Sequence, residues 1–194
     1  MAISITSKNS LFNAEKNASI LFIDLNPLSK YDFKKYDDFI LIFSNKKIVG
    51  INVFNYSKYF ELSEGFHSIN NNVKEFLLNR FKEHINEGDF DDYFKIGKII
   101  EIKNHPNSDK LKVLKVLIQD SEKQIITNVQ NIVVNNKYLF AMPGSITFDG
   151  TRIIGSKILN LESDGMIISY KSIGINKEGL VDCSDYEIND RYEF

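Results

Sequence analysis

The lysines between residues 95 and 175 are the side chains of this chain best suited to binding chemistry. This segment has 11 Lys+Arg against 7 Asp+Glu, whereas residues 1–94 have 11 against 13 and residues 176–194 have 2 against 6. A lysine ammonium is a mobile point charge that suits phosphate groups, so the basic segment predicts a polyanion-binding face. An ordinary solvated surface would give the same counts. The candidate cations are Lys98, Lys103, Lys110, Lys112, Lys115, Arg152 and Lys157.

Arginine and aromatic residues are both scarce in this basic segment. The whole chain has three arginines, and reading guanine edges in a duplex groove usually needs their planar fork, so sequence-specific binding to duplex DNA is disfavoured. A base-stacking surface like that of single-strand binders would be thin. We expect Tyr138 and Phe140 to face inward together, which leaves Phe148 and Tyr170.

No pattern in the sequence is typical of an enzyme. Neither His67 nor His84 has a partner at metal-ligand spacing, and Asp109 near His105 is better explained by a turn than by an oriented general base. The sequence also has no nucleophile elbow, phosphate-binding glycine loop or metal cluster. We predict a non-catalytic protein with no cofactor and no metal. The single cysteine, Cys183, is expected to be a free surface thiol.

The elements that would position the cations are short β-strands. They are predicted at residues 94–103, 111–118, 124–128, 137–142 and 153–161. On the first strand, alternation places Ile96, Ile100 and Ile102 on one face, opposite Gly97 and Glu101. Five short strands with glycine and proline at the corners predict a small closed barrel of the OB type. We assign residues 93–175 to this domain, and residues 176–194 to an acidic tail that packs on the barrel or extends it.

Residues 1–92 are predicted to form a smaller α+β domain of unassigned role, in a chain that is mainly β. Strands are expected at 19–24, 39–44 and 48–54, with a hairpin turn at 45–47. A helix should begin after Asn72, which would cap it, and end at Gly88, before an acidic linker at 87–92. Aromatic residues are abundant, since 17 of the 24 Phe and Tyr precede residue 95, and we interpret them as core.

Several short motifs follow one another along residues 93–175. They are Gly97-Lys98-Ile99, His105-Pro106, Asp109-Lys110-Leu111, Asn131, Ala141-Met142-Pro143-Gly144, and Ser163-Asp164-Gly165-Met166 with Ser169. In this order they resemble the tRNA-binding domain of bacterial phenylalanyl-tRNA synthetase β chains, of free-standing tRNA-binding proteins and of the endothelial-monocyte-activating polypeptide. With its smaller N-terminal part, the whole chain resembles the YtpR-type proteins.

The resemblance implies an OB-fold domain that binds tRNA by shape and backbone charge. Its expected tRNA-binding residues are Lys98, Lys110, Lys112, Asn131, Arg152, Lys157, Met166 and Ser169. Two structural alternatives remain open, because Met166 could fill the end of the barrel and Ser169 could hold a turn. Leu159 stands where relatives often have a basic residue. Asn128 and Asn160 stand where they often have glycine, and asparagine tolerates a left-handed backbone.

The expected partners follow from the same resemblance. They are tRNA and an aminoacyl-tRNA synthetase or another translation protein, with a homodimer as a further expectation. Charged residues interrupt the first 25 residues, so we expect no membrane span and a cytoplasmic location. A second reading stays open, in which the protein has weak or lost tRNA affinity and is an adaptor for a protein partner. Leu159 and the modest basic excess favour that reading.

Overall fold

The computed structural model describes residues 3–7, 18–22, 30–61, 65–90 and 93–194, and the two N-terminal ranges are described by their backbone alone. The chain divides into two compact units, residues 1–92 with 193–194 and residues 93–192. Strands predominate, which confirms the mainly β class. Residues 23–24 of the predicted first strand and residues 91–92 of the predicted linker lie outside the described ranges.

The first unit is built on six antiparallel strands. They are β1 (Ile3–Ser7), β2 (Ala18–Phe22), β3 (Asp32–Lys35), β4 (Phe39–Ser44), β5 (Lys47–Phe54) and β6 (Gly65–Ser68). Their order in the sheet is β3-β4-β5-β2-β1-β6. Asn45 and Lys46 join β4 to β5 with φ angles of 48° and 66°. Two consecutive left-handed residues suit a tight hairpin whose twist matches its strands, so the predicted turn is confirmed.

One α-helix, α1 (Asn71–Arg80), is described in this unit. Its cap is Asn70 and not Asn72, because the Asn70 side chain accepts the N–H of Val73 at 3.0 Å. The predicted end at Gly88 is also wrong. The helix stops at Phe81, which lets the chain turn and bury Ile85 in the core, and Gly88 lies in a short 3₁₀ turn, Glu87–Asp89.

Aromatic residues fill the core of the first unit, as predicted. The helix contributes Val73 and Leu77 to the apolar layer. The buried rings around them are Phe39, Phe43, Tyr56, Phe60, Phe81 and Phe90. Rings buried in this way are unavailable for stacking on a nucleic acid.

The Asp38 carboxylate joins β4 to the segment that follows β5. It accepts hydrogen bonds from Asn55 Nδ2 at 2.8 Å, Tyr59 Oη at 2.9 Å and Lys58 Nζ at 3.0 Å. The hydrogen bonds from Asn55 and Lys58 are the main reasons that the pKa of Asp38 falls from 3.8 to about 2. The carboxylate therefore stabilises the fold only while it is ionised.

Replacing Asp38 with asparagine should destabilise the protein by about 1–2 kcal/mol at neutral pH. Because the folded pKa lies below the unfolded one, the contribution is complete above pH 5 and disappears as the pH falls through about 2. Urea unfolding of both proteins at pH 7 and pH 3 measures this. A stability difference that is equally large at both pH values would contradict the assignment.

The second unit contains seven strands. They are β7 (Phe94–His105), β8 (Ser108–Ile118), β9 (Ser121–Thr127), β10 (Lys137–Ala141), β11 (Ser156–Ile158), β12 (Leu161–Ser163) and β13 (Met166–Ile167). Five form a sheet in the order β13-β10-β7-β8-β9, and β11 pairs with β12 in a separate hairpin. Topologically this is an OB-like arrangement that is mainly β, as predicted.

The barrel is not closed by a continuous ladder, so the expectation of a closed barrel is wrong. Isolated hydrogen bonds span the gap between β9 and the end of β12. The Asp164 N–H donates to the Gln124 carbonyl at 2.8 Å, and the Ile126 N–H donates to Ser163 Oγ at 3.1 Å. The Ser163 hydroxyl thus accepts a hydrogen bond that a strand carbonyl would accept in a closed barrel.

The predicted fifth strand, 153–161, is also wrong. Ile153 pairs with Ser145 by a backbone hydrogen bond of 2.9 Å, and Ser156–Ile158 then pairs with Leu161–Ser163. Leu159 and Asn160 form the turn, with φ angles of 46° and 72°. The left-handed conformation predicted for Asn160 is confirmed, whereas Asn128 does not have a positive φ.

A β-bulge changes which residues of β7 face the core. The register with β8 shifts between Ile99 and Glu101, so Ile99 is fully buried while Ile100 is 37% exposed. The predicted sharing of one face by Ile96, Ile100 and Ile102 is therefore wrong. Tyr138 and Phe140 do point together into the core beside Ile99, as predicted.

Residues 180–183 pack along β10. The Leu139 N–H donates to the Val181 carbonyl at 3.2 Å, and the Cys183 N–H donates to the Lys137 carbonyl at 3.0 Å. Cys183 is buried and not a surface thiol, and its burial raises the pKa of the thiol to about 12. None of the helices in the described part of the chain is long and apolar enough to cross a membrane.

Candidate nucleic-acid interface

A cleft of about 380 Å³ lies where the barrel is not closed. One wall comes from the ends of β8 and β9, and the other from residues 151–158 and from the start of β13. The lining residues are Leu111, Ile126, Thr127, Asn128, Thr151, Arg152, Ile153, Ile154, Ser156, Ile158, Ser163, Gly165 and Met166. Its lining combines apolar side chains, such as Ile126, Ile153 and Met166, with polar ones, such as Thr127 and Arg152.

Two of the predicted site residues, Arg152 and Met166, line this cleft together. Arg152 lies at the end of a short hairpin, where it forms an isolated bridge with Ile146. Its side chain is exposed and has no ion-pair or hydrogen-bond partner in the described part of the chain. Met166 is half-buried in β13 and is paired with Ala141. A cation and a polarisable thioether are thus placed on one wall.

Three further predicted residues, Lys110, Lys112 and Lys157, are sequence neighbours of lining residues but do not line the cleft themselves. Successive side chains of a strand point to opposite faces, so Lys157, between Ser156 and Ile158, and Lys110 and Lys112, on either side of Leu111, lie on the strand faces away from the lining side chains. The Lys112 ammonium donates to Asn104 Oδ1 at 2.7 Å, and Lys157 lies 3.7 Å from the Glu162 carboxylate. The Lys157–Glu162 ion pair is exposed, so it contributes little to stability, and Lys157 can exchange Glu162 for a phosphate group.

The remaining predicted residues lie elsewhere in the second unit. Lys98 is in the middle of β7, paired with Leu117 and Lys137, and none of these three lines the cleft. Asn131 is exposed in the loop after β9. The Ser169 hydroxyl lies 2.9 Å from that of Ser172 and accepts the Ser172 N–H at 3.2 Å, so it holds a turn.

His105 positions the β11–β12 hairpin, which carries Lys157. The Asn107 N–H donates to His105 Nδ1 at 3.1 Å, so the ring proton lies on Nε2, which donates to the Ile158 carbonyl at 3.2 Å. The Asn107 side chain adds a bond of 3.3 Å to the Leu159 carbonyl. The His-Pro motif therefore has a structural role and fixes one wall of the cleft.

The cleft can bind an anion next to an apolar group. No group of three or more His, Cys, Asp or Glu in the described residues could hold a metal ion. Sequence patterns missed Ile154, which is 44% exposed on the cleft wall, because the region had been assigned to one continuous strand. They also missed the polar edge formed by Thr127 and Thr151.

Comparison with known proteins identifies this second unit. Residues 94–188 match the family described as "Putative tRNA binding domain". These residues are a tRNA-binding domain of that family. The matched range includes the cleft and the strand segment that carries Cys183. The motifs from Gly97 to Ser169 all lie within the matched range.

Individual relatives match this tRNA-binding domain or the whole chain. The protein "Putative tRNA-binding protein YtpR" of Bacillus subtilis is 28% identical over 200 residues, which is 96% of this chain and 100% of that protein. The phenylalanine–tRNA ligase beta subunit of Fusobacterium nucleatum is 40% identical over 84 residues, which is 43% of this chain and 10% of that subunit. The same subunit of Sulfurimonas denitrificans is 37% identical over 79 residues, again 10% of its length.

The synthetase subunits thus share only the tRNA-binding domain with this chain, which spans about a tenth of their length. A solved structure described as the crystal structure of a MetRS related protein from Pyrococcus horikoshii is 21% identical. It covers 39% of this chain and 66% of that chain, with a TM-score of 0.32.

Proposed function

We propose that this protein is a non-catalytic, cytoplasmic RNA-binding protein that binds tRNA through the cleft of its tRNA-binding domain. The observation that supports this most strongly is the position of Arg152. This residue projects an unpaired cation at the edge of the cleft, within a domain of a tRNA-binding family. We expect the phosphate backbone to run past Arg152 along the edge of the cleft, which we call its rim, and Lys110, Lys112 and Lys157 on the neighbouring strands to be additional contacts.

The distribution of ion pairs supports this choice of surface. Several other cations of the second unit already have carboxylate partners, such as Lys115 with Glu122 at 2.6 Å and Lys103 with Glu101 at 3.0 Å. Lys110 and Arg152 have none in the described residues. A phosphate approaching Arg152 therefore meets a cation that does not first have to leave a partner, whereas Lys157 has to leave Glu162.

The chemistry of the cleft favours recognition of shape over recognition of sequence. Its walls carry isoleucine, leucine and methionine side chains, which contact a ribose or a base face without distinguishing base edges. Arg152 is the one arginine of the lining set. A contact surface of this kind is suited to the backbone of a folded RNA and discriminates poorly among tRNAs.

A fluorescence anisotropy titration tests the proposal. The full chain is titrated into labelled tRNA, poly-U and single-stranded DNA of matched length at one salt concentration. We expect tRNA to bind most tightly, because a folded RNA presents several phosphates to the rim at once. Equal affinity for all three nucleic acids, or no binding to tRNA, would contradict the proposal.

Leu159 offers a gain-of-function prediction. It lies 49% exposed at the tip of the β11–β12 hairpin, beside the rim, where relatives often have a basic residue. Leu159→Arg should raise tRNA affinity about 2- to 5-fold and steepen its salt dependence by about one phosphate contact. Leu159→Gln is the uncharged control and should leave affinity unchanged. An unchanged affinity in the arginine variant would mean that the RNA does not reach this hairpin.

A second candidate function is docking on a protein, such as a synthetase, another translation protein or a second copy of the chain. One exposed apolar surface favours it. Val133 and Val134 are 55% and 42% exposed, and the Asn135 N–H donates to the Ile99 carbonyl beside exposed Ile100. A pull-down that survives nuclease treatment, and that is lost in Val133→Ser/Val134→Ser, would support this function over tRNA binding.

A further inference from the structure

We propose that Phe148 is a stacking platform for one unpaired base of the bound RNA, on the hairpin that also carries the cation of Arg152. This inference rests on the proposed function and deepens it, because it assigns the stacking of a base to one named aromatic residue. It concerns an aromatic residue outside the motifs that this chain shares with its family.

Phe148 is the aromatic residue of the basic segment that is open to a ligand. Tyr138 and Phe140 are buried in the core. Tyr170 has the Lys177 ammonium 4.0 Å from the centre of its ring. The Phe148 side chain, in contrast, is 43% exposed. Exposed aromatic rings on this fold are the usual means of stacking bases.

The ring of Phe148 is held in place from one side. An added Cβ on Gly174 would lie 3.0 Å from ring atoms Cγ and Cδ2 and 3.2 Å from Cε2, so the ring packs directly on this glycine. The Phe148 N–H also donates to the Ser172 carbonyl at 2.8 Å. A ring that is fixed before binding loses little conformational entropy when a base stacks on it.

The hairpin that carries Phe148 is braced by side-chain hydrogen bonds and also carries Arg152. The Thr151 N–H donates to Thr147 Oγ1 at 3.1 Å and to Asp149 Oδ1 at 3.2 Å, and Thr147 Oγ1 donates to the same carboxylate. These bonds lower the pKa of Asp149, so the brace is intact at neutral pH. One braced hairpin therefore carries both an exposed aromatic ring and, four residues later, a cation.

This pairing of groups fits a nucleotide better than a protein side chain. A base has an apolar π-face for the ring, and its own phosphate supplies the anion for a guanidinium that has no partner in the described residues. The net positive charge of residues 95–175 adds to the attraction for RNA. An apolar protein surface would gain nothing from Arg152.

The absence of tryptophan from the sequence allows a direct test. Phe148→Trp introduces a single tryptophan whose fluorescence is quenched when a base stacks on it. We expect titration with tRNA to quench this signal with the same midpoint that anisotropy of labelled tRNA reports. Phe33→Trp is the control, since Phe33 is exposed in the first unit and should not be quenched.

Affinity measurements complete the test. Phe148→Ala should weaken tRNA binding about 5- to 100-fold without changing its salt dependence, whereas Phe148→Trp should preserve it. Binding of the tryptophan variant without quenching, or full affinity in the alanine variant, overturns the stacking role and leaves tRNA binding intact. If the unaltered protein fails to bind tRNA, the proposed function itself is wrong.

Discussion

Gly165→Ala is expected to lower the stability of the tRNA-binding domain by about 2–4 kcal/mol. The φ angle of Gly165 is 151°, a value that residues with a side chain rarely adopt. An added Cβ would lie 2.6 Å from the Ala141 carbonyl oxygen, which belongs to the backbone of β10 and cannot move aside. Urea unfolding followed by circular dichroism measures the loss.

A matched control separates the two causes of this loss. Gly179 also has a positive φ, of 98°, but no atom lies within 4 Å of a Cβ added there. Gly179→Ala should therefore lose only the conformational part, about 1–2 kcal/mol. If both variants lose the same stability, the close approach of Gly165 to β10 is not important. Because Gly165 also lines the cleft, we expect its variant to bind tRNA more weakly even where it is folded.

The double variant Arg152→Ala/Lys157→Ala should bind every tRNA about 10- to 30-fold more weakly. Arg152 lines the cleft, Lys157 lies on the β11–β12 hairpin beside it, and neither residue is buried. Most of the effect should come from Arg152, because Lys157 already lies 3.7 Å from Glu162. Titrations against several purified tRNAs, each at two salt concentrations, measure the loss of affinity. The slope of log affinity against log salt concentration should become shallower by roughly 1.5 to 2 units.

The control for this variant is Lys82→Ala, which removes one exposed cation from the first unit. It should change affinity less than 2-fold, since the effect depends on position and not on net charge alone. A loss confined to one tRNA in the double variant would contradict recognition of shape and backbone, because phosphate contacts are common to all tRNAs.

The parts of this fold that sequence predicted are those set by local chemistry. Asn45 occupies a left-handed turn position that asparagine tolerates, and the sequence predicts a hairpin turn there. For Asn160 the sequence indicates tolerance of a left-handed backbone, although the predicted strand 153–161 runs through it. Tyr138 and Phe140 are separated by one residue in an apolar run, which placed both in the core. The predicted strands β8 and β10 also agree with the structure to within a few residues.

The parts that sequence did not predict depend on distant partners. A prediction from simple alternation assumes a regular strand. The bulge after Ile99 breaks the alternation and turns Ile100 away from the core. Cys183 packs beside β10, where its N–H donates to the Lys137 carbonyl, 46 residues earlier in the chain. Nothing in the sequence around Cys183 indicates that it is buried.

The candidate site was predicted in part for the same reason. Residue type identified Arg152 and Met166, but their shared cleft exists only because the chain turns at Leu159 and the β11–β12 hairpin leaves the barrel open. Ser169 was selected by its motif, and its hydroxyl is engaged in the turn with Ser172. Sequence left Phe148 and Tyr170 as the two candidates for stacking, and it could not choose between them because the packing of the Phe148 ring on Gly174 joins residues far apart in the chain.

The salt dependence of tRNA affinity tests the central claim most directly. If four to six phosphates contact the rim of the cleft, the logarithm of the association constant should fall against the logarithm of salt concentration with a slope of roughly −3 to −5. The slope is measured by anisotropy with the full chain and tRNA between 50 and 300 mM salt, about the range in which such contacts respond. A slope near zero, or the same slope after Arg152→Ala/Lys157→Ala, would contradict binding of the tRNA backbone at this cleft.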